Sequence, residues 1–344
     1  MWRRGAANDA GQPLTARAAA VARFRNDVMA ALGRAVGASD IVAIAVSGGP
    51  DSMALLALAG AAWPGQVIAA TVDHGVRADA ADEAAMVARF CLGQGPIPHA
   101  TLIPATPLGT ANLQARARAA RYSLLTDWAR GAKATILATA HHADDQAETF
   151  LMRAARGSGL SGLAAIRPNQ RITDDLVLLR ALLDWRRAEL RALAEDWHLP
   201  FVDDPSNTSD RYDRTRFRKL LGENPWLDVD QVARAAVHLA EADRDLRAIE
   251  AWLLDTRSLP AEPGERRLDV SGLPRDMRRR LARAAITAVR EAQVILSASW
   301  SPSSNIESLL DALQAGKGAT QAGIMASATT DIWHFRAAPP RRST

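Results

Sequence analysis

The chain has 344 residues, of which 48% are hydrophobic, so it is long enough for two domains and too apolar to remain disordered. Its formal net charge is only +4, and its single cysteine, Cys91, excludes an intramolecular disulfide and any multi-cysteine metal site. No apolar run has the length of a bilayer span, and the arginines near the N-terminus precede no apolar segment, which disfavours a membrane protein and a secretory signal. We therefore expect a cytoplasmic protein.

An N-terminal tail and leading helix in 1–35 precede a region that alternates short apolar runs with longer helical patterns. Alternation of strand and helix requires right-handed crossovers and a parallel sheet. The sequence thus predicts the α/β class, with a Rossmann-like parallel sheet that has helices on both faces. Strands are predicted at Ile41–Val46, Val67–Asp73, Ala100–Ile103, Thr135–Ala140 and Leu176–Arg180. Helices are predicted near 51–61, 80–93, 112–130 and 144–156.

The pattern changes near Gly222–Pro225, where we place a domain boundary. It separates a domain at 36–222 from a smaller, mainly helical C-terminal domain at 223–344. Long helices are predicted at 228–255 and 274–292, and the end of the chain could form a small hairpin.

Positive charge is concentrated in two stretches of the chain. Residues 206–222 carry a local charge of +3 and residues 271–299 a local charge of +4. In the second stretch Arg275, Arg279 and Arg283 are four residues apart, which places them in one stripe on a helix. Such stretches favour a polyanionic partner, although solvated helix faces would have the same composition.

The first predicted strand ends abruptly at "SGGPDS", and a helical pattern follows at once. Glycines let the backbone approach a ligand, successive N–H groups form an anion nest, and the following helix presents its positive N-terminal end. The serines add hydroxyl groups, and Asp51 could hold Mg²⁺ against a phosphate. The pattern therefore predicts a phosphate-binding loop, with an ordinary tight turn as the alternative. The residues of this loop are Ser47, Gly48, Gly49, Pro50, Asp51 and Ser52.

Two better-known glycine-rich loops do not fit this sequence. The phosphate-binding loop lacks the G-x-x-x-x-G-K-[ST] pattern of a Walker P-loop. The segment "GSGLSG" at 157–162 matches G-x-G-x-x-G literally, but it follows a helical pattern and not a strand, which disfavours NAD binding.

Two other predicted strands carry polar residues at their carboxyl ends. Asp73 and His74 end the second strand and could contact the adenosine half of a nucleotide, although Asp73 could equally cap a turn. After the fourth strand, His141, Asp145 and Glu148 share one helical face if a helix begins at or just before His141. Such a face could bind Mg²⁺ or accept a proton. A zinc site and acidic capping of the helix N-terminus are the alternatives.

The motifs "SGGPDS", "VDHGVR", "ARAARY", "HHADDQAET" with "RGSGLSGL", and "DDPSNTSDRYDRTRFR" occur in this order. Together they resemble the bacterial tRNA(Ile)-lysidine synthetases, a family of PP-loop, or N-type, ATP pyrophosphatases. The resemblance covers roughly residues 40–220. Three positions depart from the family's pattern, since Ala140 stands in place of Gly, Ala181 in place of Pro and Thr215 in place of Asn.

The resemblance implies that ATP adenylates the wobble cytidine of a minor isoleucine tRNA with a CAU anticodon. Free L-lysine then replaces AMP. The 36–222 domain would be the PP-loop ATP-binding catalytic domain, and the 223–344 domain would recognise tRNA. Mg²⁺ would be held by Asp51 and Asp145, and no stable protein partner is evident. The residues that the resemblance places in catalysis are Asp51, Arg118, His141, Asp145, Glu148, Arg214 and Arg218.

Two other functions stay open at this point. A tRNA thiolation enzyme could use the same loop, but it needs cysteines for sulfur transfer or an iron–sulfur cluster, and the chain has only Cys91. A non-catalytic ATP-binding module would keep the loop but has no use for the histidine–carboxylate face. For Arg214 and Arg218, the alternative to phosphate binding is pairing with Asp210 and Asp213 to anchor a loop.

Overall fold

The computed structural model describes residues 15–73, 80–93, 95, 97–105, 113–203, 213–296, 300–301 and 304–339. It divides into two compact units, Met1–Ala240 and Glu241–Thr344. This division falls inside the long helix α9, Val229–Arg257. The boundary predicted near Gly222–Pro225 lies ahead of this helix, and a tRNA-recognition role for 223–344 stays a prediction.

The first unit contains a six-stranded sheet of order β3-β2-β1-β4-β6-β5. Five strands are parallel and correspond to the five predicted ones, which confirms the predicted α/β architecture. The strands are β1 Val42–Ala45, β2 Val67–Val72, β3 His99–Leu102, β4 Ile136–Ala138, β5 Asn169–Arg171 and β6 Val177–Leu179. Strand β5 pairs antiparallel at the edge, and its three exposed polar residues carry no apolar pattern that could have revealed it.

Helices cover both faces of this sheet, as predicted. Their bounds are α1 Ala16–Leu32, α2 Pro50–Ala62, α3 Ala80–Gly93, α4 Leu113–Gly131, α5 Ala143–Ala154, α6 Leu160–Leu163, α7 Arg187–Asp196 and α8 Asp213–Glu223. Successive residues of a strand point to opposite faces, so Ile44 packs with α1, α2 and α7 while Ala43 packs with α4. Beyond its first turn, helix α2 is apolar on every side, which is typical of a helix buried between its neighbours.

The second unit contains helices and a five-stranded sheet of order β7-β8-β11-β10-β9. Its remaining elements are β7 Ser258–Leu259, β8 Arg266–Asp269, α10 Arg275–Ala292, α11 Glu307–Gln314, β9 Ala319–Gln321, β10 Ile324–Thr329 and β11 Ile332–Ala337. The hairpin suggested by the sequence is β10–β11, and three further short strands extend it. Trp333 and Phe335 of β11 pack with Ile286 of α10 to form the core of this unit.

The arginines of α10 do not form a free cationic stripe. Arg275 binds Glu307 and Asp311 at 2.8 and 2.6 Å, and Arg279 binds Glu307 at 2.6 Å. Arg283 donates to the carbonyl of Ser304 at 3.1 Å. These arginines therefore connect α10 to α11 and to the segment that precedes α11. This pairing is the alternative to a row of free cations that would follow a phosphate backbone.

No helix in the described ranges is both long and apolar enough to cross a bilayer.

Candidate active site

The candidate site lies at the carboxyl edge of the parallel sheet. Strands β1 and β4 are neighbours, and the strand order reverses between them, with β2 and β3 on one side and β6 on the other. A crevice at such a reversal is where open α/β sheets bind ligands. The loop that follows β1 and the helix start that follows β4 consequently meet at one place.

The loop after β1 has the backbone that a phosphate-binding turn requires. Gly48 has φ +83°, a conformation that side chains other than glycine rarely adopt. Gly49 is the N-cap of α2 and Pro50 its first residue, so the helix N-terminus opens directly beyond the turn. The Ser52 hydroxyl accepts from the Ser47 N–H at 3.1 Å and donates to the Gly49 carbonyl at 2.9 Å, which closes the loop. Phosphate contact by these residues stays a prediction.

Asp51 is the acidic residue of the first turn of α2, and it lacks a full set of partners. Its Oδ2 lies 3.5 Å from His142 Nε2, while its Oδ1 is buried without a hydrogen-bond partner among the described residues. A buried carboxylate oxygen without a donor is costly unless a cation meets it. This oxygen leaves Asp51 with an acceptor that a metal ion would fit.

The residues present fit Mg²⁺ better than Zn²⁺. Within the described ranges, no group of three or more His, Cys, Asp and Glu side chains is arranged to hold a metal ion. A zinc site needs three or four protein ligands, whereas Mg²⁺ is usually held by one or two carboxylates and the phosphates of a substrate. Asp51 and Asp145 can supply those two carboxylates, since His142 Nε2 lies 3.5 and 3.6 Å from their Oδ2 atoms.

Helix α5 begins at Ala143, so the condition that it begins at or just before His141 is not met. His141 precedes the helix and does not extend the face of Asp145 and Glu148. The N-cap is His142, whose ring accepts from the Asp145 N–H at 3.3 Å, and Asp145 accepts from the His142 N–H at 3.1 Å in return. His141 instead makes a hydrogen bond with Thr139 Oγ1 at 2.9 Å. Acidic capping does occur nearby, because Asp144 accepts from the backbone N–H of Arg187, the first residue of α7, at 2.8 Å.

The charge states of His141 and Asp145 follow from burial and from the surrounding arginines. Burial lowers the pKa of His141 to about 4, and the charges of Arg180, Arg214 and Arg118 act in the same direction against the opposing effect of Asp145. Burial raises the pKa of Asp145, but His142 and Arg214 outweigh it, and the pKa lies below its usual value. His141 is therefore neutral and Asp145 ionised at neutral pH, so Asp145 carries the negative charge that a metal ion or an incoming proton would meet.

Glu148 is a buried carboxylate at the centre of an ion cluster whose arginines are partly exposed. It is 1% exposed and accepts from three guanidinium groups, Arg187 at 3.1 Å, Arg214 at 2.8 Å and Arg218 at 2.9 Å. Arg214 also donates to Asp145 Oδ1 at 2.9 Å and so bridges the two carboxylates of α5. The structure thus brings the two predicted arginines of α8 onto the predicted catalytic face of α5. Asp210 and the side chain of Asp213, their alternative partners, lie outside the described residues.

A second group of cations lines the same edge. Arg118 lies over the Tyr122 ring at 5.0 Å and within 3.4 Å of its hydroxyl. Arg180 is 8% exposed, and its Nε is buried with no partner in the described part of the chain. Burial lowers the pKa of Arg180, and the charge of Arg118 adds to this effect. Arg180 is therefore a buried cation that feels the charge of the exposed Arg118, and such positive charge favours a bound anion.

The other predicted residues have less definite surroundings. Asp73 directly follows β2, the neighbour of β1, and its N–H donates to the Leu102 carbonyl at 2.9 Å. His74 lies outside the described residues. Cys91 is buried, and desolvation raises the pKa of its thiol to about 11, so it is not a reactive thiolate.

Sequence reasoning missed His142, Arg180 and Arg187. The paired histidines of "HHADD" were a signal, but the choice between them depends on where the helix begins. Arg187 follows a second arginine and gave no spacing that linked it to Glu148, which is 39 residues away. Arg180 was read only as the end of a strand.

Comparison with known proteins gives three findings. The PP-loop domain family matches residues 21–224. The chain is 42% identical over 303 residues to the tRNA(Ile)-lysidine synthase of Zymomonas mobilis, which covers 87% of this chain and 89% of that protein. It is 41% identical to the tRNA(Ile)-lysidine synthase of Novosphingobium aromaticivorans, over 94% of this chain and 95% of that one.

Among solved structures, a U34-tRNA thiolase from Methanococcus maripaludis superimposes with a TM-score of 0.55 over 67% of this chain and 82% of its own. Its sequence is 21% identical, so this likeness concerns the fold alone.

Proposed function

Because the chain belongs to the tRNA(Ile)-lysidine synthase family and has its PP-loop ATP-utilising domain, we propose that it joins free lysine to C2 of a wobble cytidine in an isoleucine tRNA with a CAU anticodon. The product is lysidine. The activity is that of a ligase that forms a carbon–nitrogen bond.

The reaction needs two steps because the C2 oxygen of cytosine is a poor leaving group. In the first step this oxygen attacks the α-phosphate of ATP, pyrophosphate leaves, and an adenylated tRNA forms. In the second step the ε-amine of lysine attacks C2, and the oxygen leaves as part of AMP. The wobble base must leave the anticodon stack to reach the site.

The loop after β1 would hold the ATP phosphates through backbone N–H groups and the N-terminus of α2. Asp51 and Asp145 would hold Mg²⁺, which when bound offsets the negative charge of the phosphates. Arg118 would contact phosphate or substrate from the opposite wall. Arg214 and Arg218 would bring positive charge to the α-phosphate as its charge develops. Their hydrogen bonds to Glu148 fix the planes of both guanidinium groups.

Lysine must lose a proton before it attacks, since the pKa of a free ε-amine is about 10.4. An ionised carboxylate beside the base can hold this ammonium group and accept its proton as a general base. Asp145 is ionised, and His141 is a neutral hydrogen-bonding partner at the same rim. We assign acceptance of this proton to Asp145, with His141 as its neutral neighbour and with Glu148 holding Arg214 and Arg218 in place.

The observation that carries this proposal is the Arg214 bridge between Asp145 and Glu148. It joins the two segments that the family resemblance assigns to catalysis. Arg214 is 69 residues from Asp145 and 66 residues from Glu148 in the sequence. A non-catalytic module would not need this bridge. Thiolation is disfavoured because the one cysteine has a buried, unreactive thiol.

The test is mass spectrometry of the wobble nucleotide after incubation with ATP, lysine and an isoleucine tRNA with a CAU anticodon. We expect the mass of cytidine to rise by that of lysine less one water. The matched control is the same tRNA with uridine at the wobble position, which should remain unmodified. An unchanged wobble cytidine in the first tRNA, or a thiolated base, would contradict the proposal.

A further inference from the structure

His142 is more buried than any of the predicted catalytic residues except Glu148, yet it has no role in the proposed steps. It is 2% exposed and lies between two acidic residues of different helices. Its Nε2 is 3.5 Å from Asp51 Oδ2 on α2 and 3.6 Å from Asp145 Oδ2 on α5. It is therefore the side chain that joins the phosphate-binding loop to the catalytic face.

The hydrogen bonds of His142 determine which ring nitrogen carries the proton. Nδ1 accepts from the Asp145 N–H at 3.3 Å, so in the neutral ring the proton resides on Nε2. Asp144 Oδ2 is 3.6 Å from Nδ1, and this carboxylate already accepts from the N–H groups of Arg186 and Arg187. The Nε2–H consequently faces Asp51 and Asp145.

Both distances from Nε2 are longer than a hydrogen bond. The N–H group thus attracts both carboxylates electrostatically, and both carboxylates can still accept a bond from another group. Asp51 Oδ1 is buried with no partner among the described residues, so the site retains acceptor capacity for a cation.

We propose that His142 is a positioning residue that holds the carboxylates of Asp51 and Asp145 in place for one Mg²⁺, an inference that rests on the proposed function. The imidazole has two separable tasks. Nδ1 caps α5, and Nε2–H orients the metal-binding pair. Partners that orient metal ligands in this way typically change metal affinity 10- to 100-fold when they are removed.

Two substitutions separate these tasks. His142→Asn keeps an acceptor where Nδ1 stands, so it preserves the cap of α5, but its shorter side chain presents no donor at the Nε2 position. His142→Gln places an N–H near Nε2 but lacks the cap acceptor. One variant therefore tests the cap, and the other tests the contact with the two carboxylates.

The experiment titrates the full chain with Mn²⁺, observed by electron paramagnetic resonance, in the presence of a non-hydrolysable ATP analogue. For His142→Asn we expect about a tenfold higher Kd for Mn²⁺ with a nearly unchanged Tm. For His142→Gln we expect a lower Tm with a Kd within about threefold of the wild type. Half-saturating Mg²⁺ for pyrophosphate release should follow the same order.

The reverse pattern, or wild-type Mn²⁺ affinity in both variants, would overturn the inference and leave His142 as a helix cap. These results are distinct from failure of the proposed function. A wild-type protein that makes lysidine and binds Mn²⁺ while His142→Asn binds it equally well contradicts the positioning role alone. A wild-type protein that binds no Mn²⁺ with the analogue contradicts the metal assignment and this inference together.

Discussion

Two groups of arginines with the same helical spacing have opposite surroundings. Arg214 and Arg218 on α8 are four residues apart, as are Arg275 and Arg279 on α10. Both pairs bind carboxylates of their own unit. Glu148, the acceptor for α8, is 1% exposed and shared by three arginines. Glu307, the main acceptor for α10, is 42% exposed and belongs to a group in which Asp276 and Asp311 add further negative charge.

This difference shows that spacing alone does not identify a functional arginine pair. On α10 the charges are compensated at the surface, where each pair contributes at most about 1 kcal/mol. On α8 the charges converge on one carboxylate that is 1% exposed, and burial of a charged group is costly for stability alone. Such an arrangement is expected where an anion binds and reacts. The experiments below test whether catalysis depends on the first group and not on the second.

The largest effect is expected at Asp145, which shares the donor Arg214 with Glu148. Asp145→Asn should lower the rate of lysidine formation on the order of a hundredfold or more, because it removes the charge that meets Mg²⁺ and the lysine ammonium group. The Tm should change little, since Arg214 retains its bond to Glu148. The measurement is single-turnover formation of lysidine.

The matched control for this variant is its neighbour Asp144, which caps α7 and pairs with Arg186. Asp144→Ala should lower the free energy of unfolding by about 1 kcal/mol with a rate within about threefold of the wild type. If both variants lost rate equally, or both lost only stability, the catalytic role of Asp145 would be wrong.

Arg218→Lys keeps the positive charge but loses the planar fork that binds Glu148 and to which the proposed function assigns the phosphate. We expect adenylation to slow about tenfold or more at saturating ATP and tRNA, with little change in Tm. Arg216→Lys on the same helix is the control, because Arg216 is exposed and should tolerate the change. Near-normal adenylation by Arg218→Lys would reduce Arg218 to a structural anchor.

His141 gives a pH dependence of stability. Its pKa is about 4 in the folded protein against 6.5 as a reference, so between these values the unfolded chain binds a proton that the folded chain does not. Stability should therefore be greatest above pH 6.5 and fall as the pH falls towards 4. From pH 7 to pH 5 we expect a loss of about 1 to 2 kcal/mol from this residue.

Urea unfolding at the two pH values measures this loss, and His141→Gln should reduce it by that amount. Asp145 has a pKa below its reference of 3.8, so its contribution is lost only at lower pH and does not affect the comparison. Identical pH dependence in the wild type and His141→Gln would show that His141 titrates normally.

The smallest effect is expected on α10. Arg279→Gln breaks the bonds to Glu307 and Asp276, and should lower the free energy of unfolding by at most about 1 kcal/mol. Affinity for tRNA and its dependence on salt should stay unchanged, because this arginine is already paired within the unit. A salt slope shallower by about one would instead show that Arg279 contacts a phosphate.

The sequence allowed the parallel sheet to be predicted because four of its five parallel strands are largely buried apolar runs, whereas β3 has no buried residue. Strand β5, with the exposed residues Asn169–Arg171, and the two-residue strand β7 have no such pattern. The short strands of the second unit depend on pairing between residues far apart in sequence, as between Leu268 of β8 and Trp333 of β11.

The sequence named several residues that the structure brings together at the candidate site, but it did not predict their contacts. The phosphate-binding loop and the face of α5 follow from local patterns at the ends of strands. The convergence of Arg187, Arg214 and Arg218 on Glu148 depends on how α5, α7 and α8 pack, which no local spacing expresses. His142 was passed over for His141 because a single residue in the start of α5 decides which ring points inward.

The most direct test of the central claim uses ATP labelled at the α-phosphate, an isoleucine tRNA with a CAU anticodon, and no lysine. We expect label to become attached to the tRNA with release of pyrophosphate, and subsequent addition of lysine should release the label as AMP. Arg218→Lys should attach it more slowly, and Arg279→Gln at the wild-type rate. Formation of ADP and orthophosphate, or label that never reaches the tRNA before lysine is added, would contradict an adenylated tRNA intermediate.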